Sequence, residues 1–232
     1  NLIKRHADHE HVFINDKGDT KHIPHAKDFV EKYRAETDYY PNGTVFAPRE
    51  GAIHDGMFNT FRGFKVEPNE NGSCELFKEL VRDVWCGANE EVNEWVWEDL
   101  LHTVAHPGEK LGTALAIHGN YGHGKSMPFE HFLYDIFGGM LRTVTDEQQV
   151  LGQFNDVLDG ALIIVMEEAA FAGNLKAFEK AKQVITGKRV RINRKYVPAY
   201  EVDNYTRLVI VSNLDHFIHI KPGDRRYTVL KT

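Results

Sequence analysis

Three short, mostly apolar runs dominate the second half of the chain, at 114–118, 161–166 and 207–212. Segments with helical periodicity lie between these runs, at 126–137, 147–158 and 175–185. A further short strand is predicted at 141–144. Continuous apolar strands separated by helices are typical of a parallel sheet that is covered on both faces. The alternation therefore predicts an α/β fold with a nucleotide-binding layout.

The remainder of the chain divides into two further segments. Residues 1–72 are rich in turn signals, and we expect a smaller mixed or helical N-terminal accessory region with one helix at 26–34. Residues 73–110 contain two amphipathic helices, because their apolar residues recur every three or four positions. The apolar faces serve either plain packing or an oligomerisation collar, and the sequence leaves both open. Residues 111–232 form the α/β core.

The composition of the 232 residues excludes several classes of protein. Hydrophobic residues make up 42% and charged residues 27%, a balance typical of globular proteins and not of disordered ones. No apolar run approaches the roughly 20 residues that a membrane span needs. Cys74 and Cys86 are too few for a disulfide framework, so we expect reduced thiols in an intracellular protein. The net charge of −6 argues against nucleic-acid binding by the whole surface, although a local basic element would suffice.

A glycine-rich loop follows the first apolar run and opens the next predicted helix. Its residues form a complete G-x-x-x-x-G-K-S pattern: Gly119, Asn120, Tyr121, Gly122, His123, Gly124, Lys125 and Ser126. Glycines allow successive backbone N–H groups to face phosphate oxygens, and the helix N-terminus adds its dipole. Lys125 would reach the β- and γ-phosphates, and the Ser126 hydroxyl would bind Mg²⁺. The loop predicts a site for a nucleoside triphosphate.

Polar residues end two other strands of the predicted sheet. Glu167 and Glu168 follow the run at 161–166. We expect Glu167 near the metal, through its water shell, and Glu168 as the base that prepares the attacking water. Asn213 follows the run at 207–212, where an amide between the acidic pair and the γ-phosphate can orient that water and sense hydrolysis.

A basic β-hairpin is predicted at 187–202, before the strand that ends in Asn213. Its positive charges are those of Lys188, Arg189, Arg191, Arg194 and Lys195. Arg194 and Lys195 can hold phosphates and Tyr196 can stack on a base, which are the two ingredients of single-strand binding. A hairpin that is merely solvated is an equal alternative.

Two adjacent arginines, Arg225 and Arg226, enter the last predicted strand. A guanidinium suits a γ-phosphate, including one that is bound to a neighbouring subunit. By themselves these residues do not distinguish such a role from ordinary surface charge.

The order of these motifs resembles the superfamily 3 helicases of DNA viruses. Segments 193–196 and 209–213 are similar to the hairpin and sensor region of papillomavirus-type initiator helicases. A wider similarity, to phage and poxvirus-type primase-helicases, rests on three phrases at 59–64, 105–110 and 152–155. The resemblance extends over roughly residues 45–230, which is most of the chain.

This resemblance implies an AAA+ P-loop NTPase core at 111–232 that forms a homo-oligomeric ring, usually hexameric. The implied ring hydrolyses ATP with Mg²⁺ and moves 3′ to 5′ along single-stranded DNA during viral or phage replication. The resemblance also implies an upstream primase-polymerase domain in the full-length protein and a location in the host-cell cytoplasm. We therefore expect the chain to be a piece of a longer protein without a membrane-spanning segment.

On the nucleotide side, the resemblance assigns a role to each candidate. Lys125 and Ser126 match the P-loop pair, and Glu167 and Glu168 match the acidic pair. Asn213 matches the sensor. Many relatives have Asp at the position of Glu167, which leaves direct or water-mediated contact with Mg²⁺ open.

On the DNA and subunit sides, the resemblance covers four further residues. Lys195 matches the lysine of the hairpin that grips DNA. Arg226 stands at the position of the arginine finger, with Arg225 as the alternative. Lys182 resembles a second cation that acts on a neighbouring subunit.

Two other classes of function share parts of this pattern. A P-loop kinase of small molecules would use the same phosphate loop, but it gives no reason for a basic hairpin before the sensor strand. A non-catalytic module for DNA loading or assembly would bind ATP only to hold its ring together. The presence of Glu168 argues weakly against such a module.

Overall fold

The structure is a computed structural model, and it describes residues 10–14, 20–24, 40, 42–49, 56–168, 175–214, 217–218, 220–221 and 223–232. The chain divides into two compact units, one of Asn1–Thr44 with Asp55–Phe58 and one of Val45–His54 with Asn59–Thr232. The helix that we predicted at 26–34 lies outside the described residues.

The described part of the first unit contains an antiparallel pair of strands, β1 (Glu10–Ile14) and β2 (Thr20–Pro24). A second pair, β3 (Thr44–Val45) and β4 (Phe58–Asn59), forms a short two-stranded sheet.

A parallel sheet forms the centre of the second unit. The strands follow in the order β5 (Ala114–His118), β6 (Leu141–Val144), β7 (Ile163–Glu167), β8 (Arg189–Ile192), β9 (Tyr200–Asp203), β10 (Arg207–Ser212) and β11 (Tyr227–Lys231). Five of them pair in parallel in the spatial order β11, β5, β10, β7, β6, while β8 and β9 form an antiparallel hairpin. The predicted α/β class with a parallel sheet is confirmed.

Helices of very different length flank these strands: α1 (Glu75–Glu79), α2 (Glu90–Ala105), α3 (Tyr134–Phe137), α4 (Gln148–Leu151) and α5 (Leu175–Thr186). Wider π-helical turns at Leu80–Trp85 and Phe129–Leu133 continue α1 and precede α3. Asn89 begins α2, because its side-chain oxygen accepts a hydrogen bond from the Val92 N–H at 3.2 Å. No helix in the described part of the chain has both the length and the apolar character needed to cross a membrane.

The helix predicted at 147–158 is wrong in its length. Only α4 is α-helical, and a separate 3₁₀ turn follows at Asp156–Leu158. The helix ends at Gly152, whose backbone is extended (φ −81°, ψ −163°). Beyond it, the Asn155 N–H donates to the carbonyl of Asn193 at 3.3 Å instead of continuing a helix. The apolar spacing gave no warning, because Val150 and Leu158 both reach the core without one continuous helix.

Apolar side chains cover both faces of the sheet. Along β5, Ala114 and Ala116 belong to the cluster that contains α5. Leu115 and Ile117 belong to the opposite cluster, which also contains Val81, Trp85 and Val96 from the helical pair. The alternation follows from the geometry of a strand, whose successive side chains point to opposite faces. The helices within 73–110 therefore pack directly on the sheet.

Candidate functional site

Three neighbouring strands bring their C-terminal ends to one edge of the sheet. β10 pairs in parallel with both β5 and β7, so the residues after these strands lie side by side. Together they line a cleft of about 320 Å³, with Met127 and Glu130 added by the first turns after the glycine-rich loop. The cleft brings together Tyr121, Gly122, His123, Gly124, Lys125, Ser126, Glu167, Glu168 and Asn213. Sequence reasoning did not single out Glu130, which belongs to no motif.

Lys125 is held at the floor of this cleft. Its Nζ donates hydrogen bonds to the carbonyls of Gly119 at 2.8 Å and Asn120 at 2.6 Å, and to Oδ1 of Asn213 at 2.6 Å. An ammonium group has three N–H donors, so these oxygens satisfy all of them. Burial lowers the pKa of Lys125. All three acceptors are neutral. A phosphate oxygen that displaced one of them would give the ammonium of Lys125 a negatively charged partner.

Glycines shape the loop around that lysine. Gly122 and Gly124 have φ values of 80° and 68°, in the left-handed region that only glycine adopts without strain. At Gly119 the reason for glycine is different, because a Cβ there would collide with the hydroxyl of Thr232. The Thr232 N–H donates to the carbonyl of His118 at 2.8 Å, so the end of β11 is fastened against the start of the loop.

The two carboxylates after β7 differ in their setting. Glu167 is partly buried at the end of the strand, whereas Glu168 is exposed. Glu168 has a φ of 53°, and a non-glycine residue in this left-handed region stores backbone strain that is common at functional sites. Among the described residues, no group of three or more His, Cys, Asp or Glu side chains could hold a metal by itself. The Ser126 hydroxyl and the Glu167 carboxylate are hard oxygen donors, which suit Mg²⁺ that arrives with phosphates.

Arg226 lies at the opposite edge of the sheet from this cleft. It immediately precedes Tyr227, which pairs with Ala114 at the start of β5. The five residues of β5 then separate Arg226 from the glycine-rich loop, a distance of roughly 16 Å at about 3.3 Å per residue. The structure therefore does not bring Arg226 into the cleft of its own chain. Arg225 is exposed beside it.

Lys182, on α5, and Arg226 both contact the carboxylate of Asp224. Arg226 Nη1 donates to Asp224 Oδ1 at 2.9 Å, and Lys182 Nζ lies 4.0 Å from Asp224 Oδ2. Lys182 also pairs with Glu179 at 2.8 Å and lies 4.3 Å from the centre of the Phe178 ring. Sequence reasoning missed Asp224, although its position two residues before Arg226 was a signal that could have found it.

The tip of the β8–β9 hairpin is fully open to solvent. Tyr196 is 102% exposed, with a φ of 65°. The neighbouring Lys195 Nζ lies 5.5 Å from the centre of the Phe154 ring, within the range of a cation–π contact. Phe154 is itself 39% exposed. An aromatic ring from another loop thus extends the lysine and tyrosine of the tip, and sequence reasoning did not assign it to the site.

Two arginines of the hairpin are already paired with acids. Arg194 lies between Asp156 and Asp159, at 3.5 Å from an oxygen of each. Arg189 Nε lies 3.5 Å from Glu201 Oε2 on the opposite strand. A DNA phosphate would have to compete with these carboxylates for Arg194 and Arg189. This competition makes Lys195 the more available cation at the tip.

A crossed pair of asparagines fastens the hairpin to the loop that carries Phe154. Asn155 Nδ2 donates to the Arg191 carbonyl at 3.0 Å, and its Oδ1 accepts from the Asn193 N–H at 2.9 Å. In return, Asn193 Nδ2 donates to the Gln153 carbonyl at 2.8 Å. The two segments are about 40 residues apart in sequence, as the spacing of 40 in the last contact shows. Hairpin and loop are therefore one connected structure.

The fold and these two sites define a parallel α/β domain with a phosphate-type loop and a separate basic hairpin. The model of a family of unknown function, DUF5906, matches residues 117–226. The matched stretch begins just before the glycine-rich loop and ends at Arg226, so it contains every candidate residue of the cleft.

Comparison with known proteins finds similarity to a phage protein. The DNA primase-polymerase of Nitratiruptor phage NrS-1 is 29% identical over 197 residues, which are 83% of this chain and 27% of that protein. An apo structure of the NrS-1 C-terminal region has a TM-score of 0.72 and 22% identity, covering 99% of this chain and 60% of that one. Its A form gives a TM-score of 0.69 at 22% identity, with coverages of 96% and 56%. The chain therefore has the fold of that C-terminal region and spans about a quarter of the curated relative's length.

Proposed function

We propose that this chain contains the ATPase motor of a superfamily 3-type, AAA+ DNA helicase from a viral or phage primase-helicase. The observation that carries the proposal is the convergence of Lys125, Glu167, Glu168 and Asn213 on one cleft. Those groups supply the charge, the metal ligand, the base and the amide that ATP hydrolysis requires. The similarity to a phage DNA primase-polymerase supports a role in DNA replication.

In the proposed reaction the residues of the cleft have separate tasks. Lys125 binds the β- and γ-phosphates in place of its present partners, which include Oδ1 of Asn213. This exchange would release Asn213, whose amide could then orient the attacking water. Glu168 accepts the proton of that water. Ser126 and Glu167 would hold Mg²⁺, whose positive charge would offset the negative charge of the phosphates.

The position of Arg226 supports a ring. Because Arg226 and Lys182 lie at the edge opposite their own cleft, they can serve hydrolysis only in the cleft of a second copy. We propose a homo-oligomer, most simply a hexamer, in which each copy supplies these cations to the next. Leu76 and Leu101, which are 84% and 58% exposed, are candidates for the apolar contacts of an oligomerisation collar within 73–110.

The hairpin is the proposed contact with single-stranded DNA. Lys195 would bind a phosphate, and Tyr196 with Phe154 would stack on bases or sugars. Arg194 contributes where a phosphate replaces one of its carboxylate partners. An upstream primase-polymerase domain in the full-length protein, and action in the host-cell cytoplasm, belong to the same proposal.

ATP hydrolysis with and without single-stranded DNA tests the proposal. We expect Mg²⁺-dependent turnover that DNA stimulates. Lys125→Ala should weaken nucleotide binding, whereas Glu168→Gln should keep binding and lose a factor on the order of 10² in turnover. Turnover of Glu168→Gln at the parental rate would contradict the assignment of the base. Binding without any turnover would favour the loading module, and a phosphorylated small molecule would favour the kinase.

A further inference from the structure

Asp224 is a buried carboxylate shared by two cations. Its side chain is only 4% exposed, whereas that of Arg226 is 36% exposed. Oδ1 of Asp224 accepts hydrogen bonds from Nη1 of Arg226 at 2.9 Å and from the backbone N–H of the same residue at 3.2 Å. Oδ2 lies 4.0 Å from the ammonium of Lys182. One carboxylate thus contacts cations from two elements, α5 and the start of β11.

A buried carboxylate is stable only when its charge is compensated, which here requires the two cations. The same compensation restricts the cations, because each must stay near an oxygen of Asp224. The bond to Nη1 uses one of the five N–H donors of the guanidinium. The side chain of Arg226 remains partly exposed, so a phosphate of another molecule can reach it.

We propose that Asp224 is a positioning residue for ATP hydrolysis in the neighbouring copy. It holds Arg226 and Lys182 side by side, as an assembled receptor for the γ-phosphate bound by a second chain. The inference rests on the function proposed above and names the residue that organises the trans-acting half of the site. Its physical basis is pre-organisation, because a cation that is already in place loses no rotamer freedom when the phosphate arrives.

A purely structural role for Asp224 makes a different prediction. The contact between Oδ1 and the Arg226 N–H forms a turn that leads into β11, and the amide oxygen of asparagine can form the same turn. Asp224→Asn therefore retains the turn and removes the charge. If the turn alone matters, this variant should behave as the parent does.

The experiment is steady-state ATP hydrolysis by the whole chain, with Asp224→Asn compared with Glu70→Gln. Glu70 is the control, because it is an exposed acid in a turn that is remote in sequence from Asp224, the residues of the cleft and the hairpin. We expect kcat to fall roughly tenfold in Asp224→Asn with KM changed by less than about twofold, since a misplaced catalytic group loses rate and not ground-state affinity. Glu70→Gln should keep both parameters within about twofold of the parent.

Mixing with Lys125→Ala then separates action in trans from local damage. The Lys125→Ala chain has an inactive cleft but intact Asp224 and Arg226. Placed beside an Asp224→Asn chain, it should restore turnover severalfold per intact cleft. Asp224→Glu, which keeps the charge on a longer arm, provides the same mixing test if Asp224→Asn does not fold, as judged by circular dichroism.

The outcomes distinguish this inference from the function on which it rests. Failure of Lys125→Ala and Arg226→Ala to recover activity when mixed would reject the proposed trans site itself. Recovery in that mixture, together with a parental kcat for Asp224→Asn, would reject the positioning role alone. A loss in Asp224→Asn that Lys125→Ala chains do not relieve would also reject it.

Discussion

The crossed asparagine pair should determine how firmly the hairpin is held. Asn155→Ala removes the acceptor of the Asn193 N–H and the donor to the Arg191 carbonyl, which are two hydrogen bonds. Asn193→Ala removes only the donor to the Gln153 carbonyl. At roughly 0.5–1.5 kcal/mol per net hydrogen bond, we expect the free energy of unfolding to fall by about 1–3 kcal/mol and about 0.5–1.5 kcal/mol, respectively.

Urea denaturation measures these changes, and Asn71→Ala is the control because Asn71 is exposed on a turn remote in sequence from the hairpin. The same variants should bind single-stranded DNA more weakly in fluorescence anisotropy, because Phe154 and Lys195 are no longer held together. The ranking of the two variants by their free energy of unfolding is a firmer test than either predicted value. If Asn155→Ala is no less stable than Asn193→Ala, or neither variant differs from Asn71→Ala, the crossed asparagine pair does not stabilise the hairpin.

Three further predictions address other parts of the molecule. Lys195→Ala should make the log–log salt dependence of single-stranded DNA binding shallower by about one unit for each phosphate that the tip no longer binds, and an unchanged slope would contradict the tip assignment. Gly119→Ala should displace the end of β11 and lower stability by about 1–3 kcal/mol in thermal unfolding, whereas Gly139→Ala, where a Cβ meets nothing within 4 Å, should not. Burial, and to a smaller extent the positive charge of the nearby Arg207, lowers the pKa of Lys110 from 10.5 to about 7. Unfolding therefore takes up a proton between about pH 7 and 10, so the free energy of unfolding should rise with pH in that window, by less in Lys110→Met. Equal pH slopes in the two proteins would refute this cause.

Local patterns predicted the strands and the glycine-rich loop, because those features depend on neighbours in the sequence. The apolar runs at 114–118 and 207–212 became β5 and β10 with the predicted bounds. The run at 161–166 became β7 at Ile163–Glu167, slightly later than expected. Burial on both faces leaves a strand few alternatives, which is why such runs are informative.

Contacts between distant segments could not be predicted in the same way. Asn155 and Asn193 each resemble an ordinary turn residue until the fold brings them together. Phe154 joined the hairpin because Gly152 ends α4 early, and the sequence indicated a longer helix there. The role of Asp224 could not be predicted from the sequence either. Lys182 lies on α5, and only the packing of α5 beside β11 makes this carboxylate a shared partner of Lys182 and Arg226.

The strands themselves connect the two candidate sites. The loop that carries Phe154 and Asn155 leads into β7, and the end of β7 carries the acidic pair. The hairpin leads into β10, and the end of β10 carries Asn213, which contacts Lys125 at 2.6 Å. β10 pairs in parallel over five residues with β7 and over five with β5, so a displacement of β10 is expected to reach all three strand ends that line the cleft. The crossed asparagine pair joins the loop that precedes β7 to the hairpin that precedes β10, so a shift of the hairpin tip on DNA can be transmitted to the two strands whose ends carry the acidic pair and the amide. We therefore expect Asn155→Ala and Asn193→Ala to reduce the stimulation of ATPase by DNA more than the basal ATPase rate. An equal loss of both would argue against this connection between the hairpin and the cleft.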